Sequence, residues 1–139
     1  MNSSSKITCS NIWKLFGSDE KRIMKELDPK LSIKEVQEKT GHVVAVKGVS
    51  FSIQKGETFV VMGLSGSGKS TLVRCISRLI EPTSGTVKMD DVDVTKMSNR
   101  DLLDLRRNKM SMVFQHFGLF PHRTVIENIG YGLEVRGSK

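Results

Sequence analysis

The run Gly63-Leu64-Ser65-Gly66-Ser67-Gly68-Lys69-Ser70-Thr71 satisfies G-x-x-x-x-G-K-[ST], the spacing that curls a backbone around a chain of phosphates. Phosphate oxygens are held mainly by backbone N–H groups, and only a stretch with little Cβ bulk bends closely enough to present them, which Gly63, Gly66 and Gly68 permit. Lys69 is placed to reach the β- and γ-phosphates as a point charge. The Ser70 hydroxyl is placed for Mg²⁺, and a helix beginning here aims its positive end at the anion. Leu64, Ser65, Ser67 and Thr71 complete the binding segment.

Such a loop needs a strand before it and a helix after it. Residues 58–62 (TFVVM) form a short, apolar, β-prone run, as expected of a buried parallel strand. Leu72, Cys75, Ile76, Leu79 and Ile80 recur at helical spacing, with Arg74 and Arg78 on another face.

At 139 residues and 37% hydrophobic content, the chain makes one globular domain or part of one. Its net charge of +7 is uneven, with 8 basic against 6 acidic residues in 1–42 and 14 against 9 in 43–139. That excess suits a nucleotide, an anionic membrane surface or nucleic acid alike, so it does not select among them. Cys9 and Cys75 are too few and too far apart for a metal pattern and read as structural thiols in a reducing compartment. No apolar run approaches a bilayer span, and residues 1–10 lack a signal-peptide core, so the expected location is cytoplasmic, with membrane contact through a partner.

The other elements read in order. Residues 6–17 predict a strand ending at Gly17, and 18–41 predict a helical insert on the surface. In that insert Ser18 or Asp19 starts one helix and Asp28-Pro29 ends it. Ser32 with Glu35 caps a second, Leu31 and Val36 are spaced as a hydrophobic staple, and Gly41 closes it. Residues 43–46 and 49–53 predict two strands separated by Lys47-Gly48, and 86–94 a hairpin turning at Asp90-Asp91. Ser98 with Asp101 and Thr124 with Glu127 cap two later helices, and 111–114 predicts a strand that ends at Gln115. In parallel α/β sheets ligands lie beyond the carboxyl ends of strands, so Gln115 is a candidate to face the phosphates. Asn108-Lys109-Met110-Ser111 is close to the guanine-reading N-K-x-D tetrapeptide, but Ser replaces the Asp that selects the base, which removes the GTPase reading.

Together, Lys14-Leu15-Phe16-Gly17, Lys55-Gly56-Glu57, the phosphate loop, Glu81-Pro82-Thr83-Ser84-Gly85, and Val113-Phe114-Gln115 followed by Leu119-Phe120-Pro121-His122 resemble the ATP-binding subunit of an ABC transporter. Met112-Val113-Phe114-Gln115, Arg78-Leu79-Ile80-Glu81-Pro82-Thr83 and the insert at 18–41 resemble, more narrowly, the glycine betaine/proline importer type. The resemblance covers nearly the whole chain. It implies an α/β phosphate-loop nucleotide-hydrolase core with an N-terminal antiparallel β subdomain, truncated after the Gln loop from 115. It implies ATP and Mg²⁺ as ligands, with Gly63 to Thr71 on the phosphates, Lys69 and Gln115 in catalysis, and Ser70 and Gln115 on the metal. It also implies a permease partner docked through the Gln-loop region, with 117–122 as the docking surface, and a second ATP-binding subunit. Nucleic acid is not expected, and the subunit would sit peripherally on the inner face of the membrane.

By motif the aromatic that stacks on adenine is Phe16, although the insert separates it from Val43 and family spacing counted back from Lys69 lands near Thr40; Trp13, or no aromatic, is the alternative. The LSGGQ signature, the second Mg²⁺-binding Asp with its catalytic Glu, and the switch His have no counterpart in the sequence, and His42, His116 and His122 lie outside the switch position. The expectation is therefore ATP binding without turnover by these residues alone. A phosphate-loop kinase, a non-transport ABC protein and an inactive fragment are the rival readings.

Overall fold

The computed structural model describes residues 5–115 and 118–137, which fall into two compact units, Met1–Ser98 and Asn99–Lys139. The first unit is built on a four-stranded antiparallel sheet in the order β2-β1-β3-β4, formed by β1 (Ile7–Phe16), β2 (Val43–Ile53), β3 (Ser84–Met89) and β4 (Val92–Asp93). Helices α1 (Glu20–Glu26) and α2 (Ile33–Thr40) lie between β1 and β2, and α3 (Lys69–Ile76) follows the phosphate loop. The second unit holds α4 (Asn99–Asn108) and α5 (Val125–Arg136). Strands and helices together give the expected α/β class.

Strand β1 pairs on both sides, with β2 from Ile7↔Ile53 to Phe16↔Val43 and with β3 from Ile7↔Met89 to Trp13↔Ser84. Residues 43–53 make one strand where two were expected. Between Ile12↔Val49 and Lys14↔Val46 a single residue of β1 faces two of β2, so Lys47-Gly48 is a bulge absorbed into the ladder, with Gly48 at φ 60°. The hairpin at Asp90-Asp91 forms as predicted, both residues being left-handed (φ 48° and 63°) as a tight two-residue turn requires.

The insert departs from the surface hairpin predicted. Its capping box forms, with the Ser32 side chain accepting from the Glu35 N–H at 3.2 Å while Glu35 accepts from the Ser32 N–H at 2.7 Å, and Gly41 closes α2. Those hydrogen bonds hold the exposed Glu35 carboxyl below its ordinary value. Val36, however, is only 1% exposed and packs with Trp13, Leu15 and Val44, and Ile23, Met24, Leu27 and Leu31 close over them. The apolar stripes of both helices thus bury side chains of β1 and β2. Polar ties fix the same contact: the Lys14 ammonium meets both Glu20 carboxylate oxygens at 2.7 and 2.8 Å, and Lys47 Nζ donates to the Leu31 carbonyl at 2.6 Å. The ring of His42 spans the two ends of the insert, Nε2 lying 2.7 Å from the Ser18 carbonyl oxygen and Nδ1 2.8 Å from that of Thr40.

Two expected strands carry no ladder. Residues 58–62 have no regular secondary structure, with Met62 87% exposed, and neither do 111–114, with Val113 97% exposed. A parallel strand needs a neighbour to accept its backbone bonds, and among the described residues all four strands belong to the one antiparallel sheet. The Phe59 ring does find a partner, stacking on Phe51 of β2 with centroids 4.7 Å apart.

In the second unit Thr124 and Glu127 form the predicted capping box at the start of α5, and Gly137 ends it in the left-handed conformation. No described helix is long and apolar enough to cross a membrane.

Candidate nucleotide-binding site

The phosphate loop turns at Gly66 and Gly68, whose φ angles of 77° and 88° L-residues with a Cβ rarely adopt. Ser67 N–H donates to the Leu64 carbonyl at 3.2 Å, closing the bend, and Leu72 N–H donates to Gly68 at 2.8 Å, starting α3. Glycine is required at Gly68 for space as well, where a Cβ would lie 2.0 Å from the backbone oxygen of Ala45 in β2, whereas one on Gly63 would meet at 2.6 Å only the Ser67 hydroxyl, which can rotate away. The loop therefore ends directly on the sheet.

Lys69 folds back over this loop. Its ammonium donates to the carbonyls of Gly63 at 2.7 Å and Leu64 at 2.6 Å, so the charge stands at the mouth of the turn where phosphate oxygens would arrive. Ser70 is exposed on the first turn of α3, with Thr71 after it. Leu64, Ser65, Gly66 and Ser67 are exposed. Helix α3 is shorter than the periodicity predicted: it stops at Ile76, and Arg78 turns left-handed (φ 52°), donating to the carbonyls of Val94 and Met97 and to Glu81. Leu72 and Cys75 anchor α3 in the core, whereas Leu79 lies beyond its end and is exposed. Burial pushes the thiols of Cys75 and Cys9 each up to about 11, the Lys14 ammonium opposing the shift at Cys75.

The aromatic question has a geometric answer on one side. Trp13 is 3% exposed within the core, its Nε1–H donating to Asn11 Oδ1, and so has no ring face to offer. Phe16 is 42% exposed. The insert that separates Phe16 from Val43 in sequence returns Val43 to lie opposite it in the ladder. Ala45, which touches the phosphate loop at Gly68, is two residues further along the same strand.

Gln115 belongs to the second unit, where it stands exposed at a bend. Of the predicted docking segment, Phe117 lies outside the described residues, as does His116 before it. Leu119 is exposed, but Phe120 tucks onto α5, its ring 4.6 Å from that of Tyr131. Asn128, given no role by the sequence reading, ties this segment down. Its Oδ1 accepts from Phe120 N–H at 2.8 Å, and its Nδ2 donates to the carbonyls of Phe120, Arg123 and Thr124. Among the described residues no cluster of His, Cys, Asp or Glu gathers that could hold a metal.

Residues 46–139, beginning within the strand that carries Ala45 and running through the phosphate loop and Gln115, match the family model described as ABC transporter. The chain belongs to the ABC transporter family. It is 50% identical over 96% of its length to the trimethylamine N-oxide transport system ATP-binding protein TmoW of Pelagibacter ubique. It is 48% identical over 95% of its length to the glycine betaine/proline betaine transport system ATP-binding protein ProV of Escherichia coli. It spans only 39% and 33% of those two ABC proteins. Among solved structures, the dimeric post-hydrolysis state of the ATP-binding cassette MJ0796 bound to ADP and Pi matches 94% of this chain and 47% of that one, with a TM-score of 0.71 at 30% identity. The fold is thus that of an ABC cassette, of which this chain spans about half.

Proposed function

We propose that this chain is the nucleotide-binding portion of the ATP-binding subunit of an importer for a compatible solute of the quaternary-amine class, such as glycine betaine. The observation that carries the reading is Lys69 held over a glycine turn at the start of α3, in a chain about half identical to importer subunits. ATP's phosphates would lie along the backbone of Gly63 to Thr71, with Lys69 exchanging its carbonyl partners for β- and γ-phosphate oxygens. Ser70 and Gln115 would hold Mg²⁺, which supplies charge neutralisation on the transferring phosphoryl group. Phe16 would stack on adenine. The segment after Gln115 would meet the membrane-embedded permease from the cytoplasmic side, and a second ATP-binding subunit would complete the site. The apolar, unladdered runs at 58–62 and 111–114 would be strands of the central sheet in the complete protein.

Phosphoryl transfer to water depends on positioning the nucleophile and neutralising developing charge, so binding without turnover is the expected behaviour of these residues alone. Two experiments test the reading. Calorimetric titration with ATP should show Mg²⁺-dependent binding that Lys69→Ala abolishes, with no phosphate release above that control. A chimera in which this chain replaces the matching segment of ProV should restore glycine betaine uptake to Escherichia coli lacking ProV, and the Lys69→Ala chimera should not. Equal binding by parent and Lys69→Ala, or a folded chimera without uptake, would sink the proposal.

A further inference from the structure

Lys14 is 6% exposed, and lysine is almost never buried this deeply without a partner. Its partner is Glu20, which grips the ammonium through both oxygens from α1 of the insert rather than from the sheet. Pairs buried in this way are weak sources of stability, because removing two ions from water offsets their attraction, and apolar replacements of equal volume often do as well. Stability alone therefore does not explain a charge here. What the ammonium faces does: it lies 5.0 Å from the centroid of the Phe16 ring, within the range where a cation is drawn to the negative face of an aromatic. One ring face is thereby directed at Lys14, and the exposed portion of Phe16 is left to the solvent side.

We propose that Lys14, fixed by Glu20, is a positioning residue that holds the Phe16 ring ready to stack on the nucleotide base, so that the insert acts on base recognition through this pair. The proposal rests on the reading of Phe16 as the base-stacking residue. Neutralising Lys14 frees the ring without touching the phosphate loop, so base-dependent affinity should fall while phosphate affinity stays.

The test compares binding of ATP with binding of inorganic tripolyphosphate, which has the phosphates but no base, by the 139-residue chain and its variants. Lys14→Met should lower the preference for ATP about fivefold, the scale of one such contact, and leave tripolyphosphate affinity unchanged. The double variant Lys14→Met/Glu20→Gln, which strands no carboxylate, should do the same and keeps the test open if the single variant fails to fold. Phe16→Ala should abolish the preference. A preference intact in Phe16→Ala, or absent from the parent, overturns the stacking reading and this proposal with it. A preference lost in Phe16→Ala but intact in folded Lys14 variants overturns the positioning role alone. Without nucleotide, NMR should show the Lys14 ε-methylene protons shifted by the Phe16 ring current, and a Lys14 resonance unaltered by Phe16→Ala overturns the contact itself.

Discussion

Gly68 and Ala45 meet backbone to backbone, so that the last glycine of the phosphate loop rests on the carbonyl oxygen of the second strand. Gly68→Ala combines this clash with a left-handed residue, each of which a methyl group opposes. Strain at such a position costs on the order of 1–3 kcal/mol, and the carbonyl cannot move without disturbing the β1–β2 ladder. Thermal unfolding should show a marked loss of stability together with loss of ATP binding. Gly66→Ala, with the same sign of φ but nothing within 4 Å of the added carbon, should be the milder change.

Val36→Ala tests whether the insert belongs to the core. Deleting two buried methyl groups should cost about 2 kcal/mol by urea unfolding, and Glu38→Ala on the exposed face of the same helix within about 0.5 kcal/mol of nothing. Equal effects would return the insert to the surface.

The two thiols should be inert in the folded chain. Both are buried with raised pKa values of about 11, so thiolate is scarce near neutrality, and a disulfide-exchange reagent at pH 7.5 should label them only after denaturation. The sign of their pH dependence follows. A folded-state pKa above the ordinary 9.0 contributes stability that is complete below pH 9 and is lost as pH rises toward 11. Cys9→Ser/Cys75→Ser should flatten that alkaline decline in Tm.

Ser70→Ala should reduce the Mg²⁺-dependent part of ATP affinity and leave the metal-independent part, since the exposed hydroxyl supports no other described contact. Titrations with and without Mg²⁺ that differ as much in the variant as in the parent would remove Ser70 from the metal site.

What the sequence disclosed was local chemistry. The glycine-lysine spacing, the boxes at Ser32 and Thr124 and the Asp90-Asp91 turn each involve residues within a few positions of one another, so their signals are complete in a short window. What it withheld was set by pairing across distance. Staple spacing paired Val36 with Leu31 but did not show that Trp13 and Leu15 lay under it. Chain separation hid the pairing of Phe16 with Val43, and the Lys47-Gly48 bulge was indistinguishable from a turn until the register with β1 was known. The runs at 58–62 and 111–114 have the composition of strands, but hydrogen bonding depends on a neighbour, which composition does not supply.

The packing of Val36 on Trp13, Leu15 and Val44 also predicts an order of assembly. Those contacts close short loops, whereas the pairing of Cys9 with Val87 must wait for most of the first unit to be threaded between them. Because rates fall as contacting residues lie further apart along the chain, β1, the insert and β2 form the nucleus, and β3 adds to an edge already in place. A truncation at Val36 then slows folding, whereas one at Val87 chiefly speeds unfolding, and stopped-flow chevrons would separate the two. The segment that interrupts the sheet in sequence is, in time, what starts it.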